Sequence, residues 1–228
     1  MKTNEMIAKT RVYNLVILDK SGSMDSIRKQ AVDGYNETLG TIRAAQQKHP
    51  DTQEHFVSLA AFCGCGVEMI HDKTPIDSAT PLRPEQYQPC CTTPLFDAIG
   101  STVNKLKKDI KDDADAAVLV TIITDGYENA SKEWNSATIK KMIDDCKKDG
   151  WMFAFIGAGE DITKVAATIS ISNTIVWEKS AEGTEQMFAE TNGASARFFD
   201  KMAAPCCVGA SAGERKKMRR VFAEEYYA

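Results

Sequence analysis

The chain has 228 residues, of which 43% are hydrophobic and 26% charged, with 14 glycines and 7 prolines. These proportions are those of an ordinary globular domain and exclude collagen-like and intrinsically disordered chains. Twenty-eight basic residues against 32 acidic ones leave a formal charge of −4, which gives no general attraction to nucleic acid or to an anionic membrane.

At roughly 100–200 residues per domain, the length predicts one domain with a substantial core. The longest apolar runs, residues 13–18 and 151–159, fall short of the roughly 18–20 residues that cross a bilayer, so no membrane span is expected. Residues 1–10 carry Lys2 and Lys9 with no apolar stretch between them, unlike a secretory signal, so the expected location is the cytoplasm. Seven cysteines, an odd number, read as reduced thiols and not as a disulfide framework.

In chain order, residues 12–18 read as a strand and 26–47 as a helix with Ile27, Ala31, Leu39 and Ile42 inward. Residues 55–63 and 67–71 read as two strands joined at Cys63-Gly64-Cys65-Gly66, a glycine-containing connection that predicts an antiparallel hairpin. From 73 to 89, four prolines and no periodicity predict a long irregular surface crossing. A helix over 94–108, a strand over 117–124, a helix over 133–148 and a strand over 151–157 follow. The series closes with a short helix over 161–168, a strand over 173–177 and a helix over 182–203.

Strands separated by helices need crossover connections, so the expected fold is a three-layer α/β/α sandwich on a mostly parallel sheet with one antiparallel edge strand. The run Ala116-Ala117-Val118-Leu119-Val120-Thr121-Ile122-Ile123 is apolar nearly throughout, as a strand buried on both faces should be. Residues 1–11 read as an N-terminal extension, 12–204 as the domain, and 205–228 as a tail, first basic and then acidic and aromatic, that stands off the core. The cluster Arg215-Lys216-Lys217-Met218-Arg219-Arg220 reads as a solvated helix face in an acidic chain.

Three polar clusters fall at expected strand ends or helix starts, where this architecture places its ligand sites. They are Asp19-Lys20-Ser21-Gly22-Ser23, Cys91-Thr92-Thr93-Pro94 and Thr124-Asp125-Gly126. Singly, each has a plain reading: Ser23, Asp25 or Thr93 as a helix cap, and Asp125-Gly126 as a turn. Together, two carboxylates and several hydroxyls offer only oxygen ligands, a set that suits a small hard cation such as Mg²⁺.

The arrangement Asp19-x-Ser21-x-Ser23, then Thr93 within Thr-Pro-Leu-Phe-Asp-Ala-Ile, then Asp125 within Thr-Asp-Gly closely resembles the metal-ion-dependent adhesion site of von Willebrand factor A domains. The resemblance covers residues 13–203. It implies Mg²⁺ or Mn²⁺ as the cofactor, with Ser21 and Ser23 binding through their hydroxyls, Thr93 directly or through water, and Asp19 and Asp125 mainly through bridging waters. It implies a protein partner that supplies an Asp or Glu carboxylate, and so a non-enzymatic, metal-dependent binding module. Cys90-Cys91-Thr92 stand where the family often has Gly-Gly; Thr93 is preferred over Thr92 because it aligns with the Leu-x-Asp-Ala-Ile that follows.

Two rivals are a Mg²⁺-dependent hydrolase using Asp19 and Asp125 and a metal-free interaction scaffold. A hydrolase needs a base, and His49, His55 and His71 show no catalytic spacing; Glu128 is the one nearby candidate, with an exposed loop carboxylate as its plain reading. Gly157-Ala158-Gly159 reads as a turn and not a nucleotide loop. The cysteines at 63/65, 90/91, 146 and 206/207 show no Cys-x₂-Cys pair, so no zinc site is expected. Cys90 and Cys91, beside Thr93, would make partner binding redox-sensitive if either thiol is exposed with a lowered pKa.

Overall fold

A computed structural model of the chain describes residues 9–159 and 162–227. Strand β1 (Thr10–Asp19) leads through a 3-10 helix (Gly22–Ile27) into α1 (Arg28–Lys48), and β2 (Gln53–Cys63) turns back as β3 (Gly66–Pro75). Beyond an irregular crossing come α2 (Leu95–Asp109), β4 (Ala117–Thr124), α3 (Ser136–Lys148), β5 (Met152–Ala158), α4 (Ile162–Thr168) and β6 (Asn173–Trp177). The chain closes with α5 (Ala181–Met202), a single turn α6 (Pro205–Val208) and α7 (Ala212–Glu224). Residues 1–8 of the expected extension and Asp161, the expected start of α4, lie outside the described residues.

The six strands form one sheet in the order β3-β2-β1-β4-β5-β6. Only the edge pair β2–β3 is antiparallel; the other neighbours run parallel. Because successive side chains in a strand point to opposite faces, β1 feeds two cores at once. Val12, Val16 and Leu18 pack with α1 and α5 on one face, and Tyr13, Leu15 and Ile17 with α2 and α3 on the other. Both faces are covered, which is why β4 is buried along its whole length and why the sequence there is apolar without alternation. The expected three-layer α/β/α sandwich with one antiparallel edge strand is the observed fold.

Three local expectations change. The first helix begins as α only at Arg28, because the Gly22 N–H donates to the Cys91 carbonyl and the Ser21 N–H to Asp19, tying the preceding segment to other loops. The crossing is irregular but is not confined to the surface: β3 runs on to Pro75, and Ile76, Ala79, Leu82 and Tyr87 are all buried. Finally, the chain after Met202 does not stand off the core. Tyr226 packs into it with its O–H 2.7 Å from Ser195 Oγ, and Arg219 of the basic cluster is buried with Nη1 3.2 Å from Asp115. A run of cations conceals this packing because the aliphatic stems of Arg and Lys cover apolar surface while their heads find carboxylates. Arg215 also reaches Asp115, and Lys216 reaches Asp149. No helix among the described residues is long and apolar enough to cross a membrane.

Candidate metal centre

The sheet order reverses between β1 and β4: the chain leaves β1 toward β2 on one side and returns at β4 on the other. Loops diverging from such a point open a crevice at the carboxyl ends of the strands. Leu18 pairs with Ile123, so Asp19 and Thr124 leave the sheet side by side. Thr124 Oγ1 donates to Asp19 Oδ2 at 2.6 Å, and the Ser21 N–H donates to Oδ1 at 2.7 Å. The Tyr87 O–H donates to the Asp19 carbonyl from the crossing. Asp19 is thereby held fully buried at the floor of the crevice.

Ser21 Oγ and Ser23 Oγ lie 3.1 Å apart, and Ser23 Oγ donates to Asp125 Oδ1 at 2.6 Å. Among the described residues no aligned hydrogen bond reaches the buried Asp125 Oδ2; Lys179 Nζ stands 2.5 Å from it as an ion pair. The same ammonium donates to the Ser23 carbonyl. Thr93 is buried, and a Cβ placed on Gly126 would stand 3.1 Å from Thr93 Oγ1 and 3.8 Å from Asp19 Oδ2. The bare Gly126 thus lets the threonine hydroxyl lie beside the aspartates, whereas Thr92 is exposed. All five residues singled out in the sequence converge on this crevice.

The cap readings do not hold. No side chain caps α1 or α2, where Ile27 and Pro94 precede the first turns, and Ser21 makes no capping bond to the 3-10 helix. Two carboxylates and three hydroxyls face one another instead, and the donor set is oxygen throughout, which fits a hard divalent cation. Burial pushes the Asp19 carboxyl up to about 6, against the hydrogen bonds from Thr124 and Ser21 that favour its charged form. The raised Asp19 carboxyl is a feature that a bound cation relieves.

Sequence reading missed the frame around these residues. Glu128 is neither an exposed loop carboxylate nor a free base. Its two oxygens accept the N–H groups of Phe96, Ala130 and Ser131 and the Ser131 hydroxyl, at 2.6 to 2.9 Å. Asp97 in return accepts the N–H groups of Lys132, Glu133 and Trp134, which holds its pKa below the usual carboxylate range against the opposing effect of burial. Thr93 and Asn129 exchange bonds, the Thr93 N–H to Asn129 Oδ1 at 2.9 Å and the Asn129 N–H to the Thr93 carbonyl at 3.2 Å. Asp97, inside the threonine motif, and Glu128, close after Asp125, had a signal in the sequence; Tyr87, Asn129 and Lys179 had none.

The three histidines have structural partners away from the crevice: His49 with Asp200, His55 with Gln53, and His71 with the Thr80 carbonyl. The Cys90 and Cys91 thiols lie in contact with those of Cys63 and Cys65. Contact with Cys63 pushes the Cys90 thiol up to about 12 and contact with Cys65 raises that of Cys91, while the lowered thiol is Cys65, through its contact with Cys91.

No family model matches the chain, and no curated protein matches it by sequence. The likeness is in three dimensions. A von Willebrand factor type A protein from Catenulispora acidiphila superposes with a TM-score of 0.56 at 16% identity, over 83% of this chain and 43% of that one. The SpRpn10 VWA domain superposes with a TM-score of 0.54 at 12% identity, over 90% of this chain and 100% of that domain. Proximal thread matrix protein 1 from the mussel byssus, solved with a zinc-occupied MIDAS motif, gives 0.52 at 14% identity, over 83% of this chain and 46% of that one. This chain therefore spans less than half of the Catenulispora and mussel chains and the whole of the SpRpn10 domain. In class it is a doubly wound α/β/α domain with a polar crevice at its switch point. In particular, it has the von Willebrand factor A fold.

Proposed function

We propose that this chain is a metal-dependent protein-binding module. In this reading Asp19, Ser21, Ser23, Thr93 and Asp125 hold Mg²⁺ or Mn²⁺ and the partner contributes an Asp or Glu carboxylate. The observation that carries the reading is the freedom of Ser21, Ser23 and Thr93 from capping duty while their side chains gather around two buried carboxylates. A cation there supplies a Lewis-acid contact for an anionic group. The chain's own part is to orient the oxygens: Thr124 and the Ser21 N–H fix the Asp19 carboxylate, and Asn129 fixes Thr93. Two carboxylates do not over-neutralise a divalent ion, and Lys179 adds positive charge beside them, so the mouth favours an anion.

A binding module is favoured over a hydrolase because Glu128, the nearby candidate base, spends both oxygens on loop N–H groups and a hydroxyl. The reduced-thiol reading of the seven cysteines supports a cytoplasmic setting.

Calorimetric titration of chelator-stripped protein with Mg²⁺ and with Mn²⁺, beside Asp19→Ala, tests the reading. Heat in the wild type that is absent from a folded Asp19→Ala variant is the expected result. A wild type that takes up neither ion overturns the resident-metal reading and leaves the metal-free scaffold.

A further inference from the structure

Four of the seven cysteines, which the sequence offers as two unconnected pairs, meet in space. Cys63 and Cys65 flank the tip of the β2–β3 hairpin, and Cys90 and Cys91 lie in the crossing just ahead of Thr93. Cys63 Sγ is 3.4 Å from Cys90 Sγ, Cys65 Sγ is 3.9 Å from Cys90 Sγ, and Cys65 Sγ is 3.3 Å from Cys91 Sγ. The sulfurs of Cys63, Cys65 and Cys90 all lie within 4.8 Å of one another.

We propose that these four cysteines form a closed thiolate site for one Zn²⁺, separate from the oxygen-lined crevice. Tetrahedral zinc with bonds of about 2.3 Å to sulfur sets its ligand sulfurs about 3.8 Å apart; the three contacts, 3.3 to 3.9 Å, lie near that value, and Cys91, which touches Cys65 but stands outside the group of three, draws in as the fourth ligand. Soft thiolates select zinc, copper(I) or iron–sulfur clusters over the hard ions that suit Asp19 and its neighbours, so the two sites divide their metals by chemistry. Cys63 is buried and Cys90 half-buried, while Cys65 and Cys91 are exposed, which gives the ion a path from solvent. The thiols release their protons to water as they become ligands.

The backbone is built for this contact. A Cβ on Gly64, between the first two cysteines, would stand 2.4 Å from Thr92 Oγ1 and 3.1 Å from Cys91 Cβ, so only glycine lets the hairpin tip press against the crossing. Cys91 is held at a φ of 62°, in the left-handed region that a non-glycine residue adopts only when its surroundings impose it. On the other side the Cys90 N–H donates to the Lys20 carbonyl at 2.9 Å and the Gly22 N–H to the Cys91 carbonyl at 3.1 Å. Lys20 itself, largely buried and paired with Glu68, places a cation next to the cluster, which offsets the negative charge of a tetrathiolate. The proposed ion staples the sheet edge to the loop that carries Thr93. It does not rest on the adhesion-site reading. Adjacent and one-apart cysteines lack the Cys-x₂-Cys spacing of common zinc knuckles, which is why the pattern went unread in the sequence.

The test is metal content by mass spectrometry on the full chain purified under reducing conditions, together with Co²⁺ substitution of the stripped protein. One zinc per chain is expected in the wild type and in Asp19→Ala, with sulfur-to-cobalt charge-transfer absorption and the strong visible bands of tetrahedral cobalt. Both should be lost in Cys90→Ser and in the surface variant Cys65→Ser, whose exposed position protects the fold. Zinc that leaves with Asp19→Ala and stays in Cys90→Ser would overturn the proposal, as would iron in place of zinc. Wild type that takes up neither zinc nor cobalt would also overturn it, and a count below seven thiols on protein purified without reductant and unfolded in denaturant would assign the cluster to disulfides instead.

Discussion

The two ends of the sheet each bury a polar cluster, and the clusters differ in how far they satisfy themselves. At the amino ends of β1 and β2, His55 Nε2 meets Gln53 Oε1 at 2.9 Å, and Gln53 Nε2 donates to the Phe199 carbonyl at 2.7 Å. Asn14 Nδ2 donates to the Phe56 carbonyl at 3.0 Å, leaving Asn14 Oδ1 without a donor. Every group there is neutral, with burial holding the imidazole down to about 3. At the carboxyl ends of β1 and β4 the cluster carries two carboxylates, one with its pKa lifted and the other with an oxygen that meets only an ammonium. A buried neutral cluster that closes most of its own hydrogen bonds is a structural clasp, whereas one that sets two carboxylates against a single ammonium keeps net negative charge and suits a cation.

Substitution breaks the comparison most sharply at the charged end. Asp19→Ala is expected to weaken Mg²⁺ binding at least a thousandfold, about 4 kcal/mol, in the same calorimetric titration. At the neutral end, His55→Ala is expected to leave metal affinity unchanged and to cost about 2–4 kcal/mol of stability in denaturant unfolding, from the cavity and the orphaned Gln53. If His55→Ala altered metal affinity as strongly as Asp19→Ala, the division of labour between the ends would be wrong.

The pH dependence of the metal-stripped protein sharpens the contrast, because the two groups act with opposite signs. Asp19 has a raised folded-state pKa of about 6. Its contribution is therefore complete below the ordinary carboxylate value near 4 and is lost as pH rises through 6, by on the order of 3 kcal/mol. His55 has a lowered folded-state pKa of about 3. Its contribution is present above the ordinary imidazole value near 6.5 and is lost as pH falls toward 3. Melting curves of metal-stripped Asp19→Asn between pH 4 and 6 should therefore rise more steeply with pH than those of the wild type. Metal should remove the Asp19 penalty at pH 7. The smallest expected effect is at Lys179: Lys179→Met removes the ammonium beside Asp125 and should tighten Mg²⁺ binding roughly fivefold, about 1 kcal/mol. Unchanged affinity in that variant would mean the lysine swings away from Asp125 at negligible cost.

The strands were legible where burial on both faces leaves one composition. The span 117–124 was read from its apolar run and matches β4, buried along its whole length; 173–177 matches β6 although that edge strand leaves Val176 exposed. The five candidate ligands were legible because each sits at a strand end or helix start, so local order in the chain fixed their place in space. What escaped was contact between loops distant in sequence. Tyr87 comes from a proline-rich segment with no period, Lys179 precedes α5 by two residues, and the cysteine pairs are joined only by the path of the hairpin and the crossing. The tail escaped for a different reason: its charged residues outnumber the few, such as Tyr226, that anchor it.

The bonds that Glu128, Asp97 and Asn129 make across the gap between α2 and the β4–α3 connection have a mechanical consequence. They tie the start of α2 to the segment that follows Asp125, and the bonds from Gly22 to Cys91, from Cys90 to Lys20 and from Ser23 to Asp125 tie the loop after β1 to both. Any adjustment of the crevice is then a concerted movement of three cross-linked loops and not five independent side-chain movements.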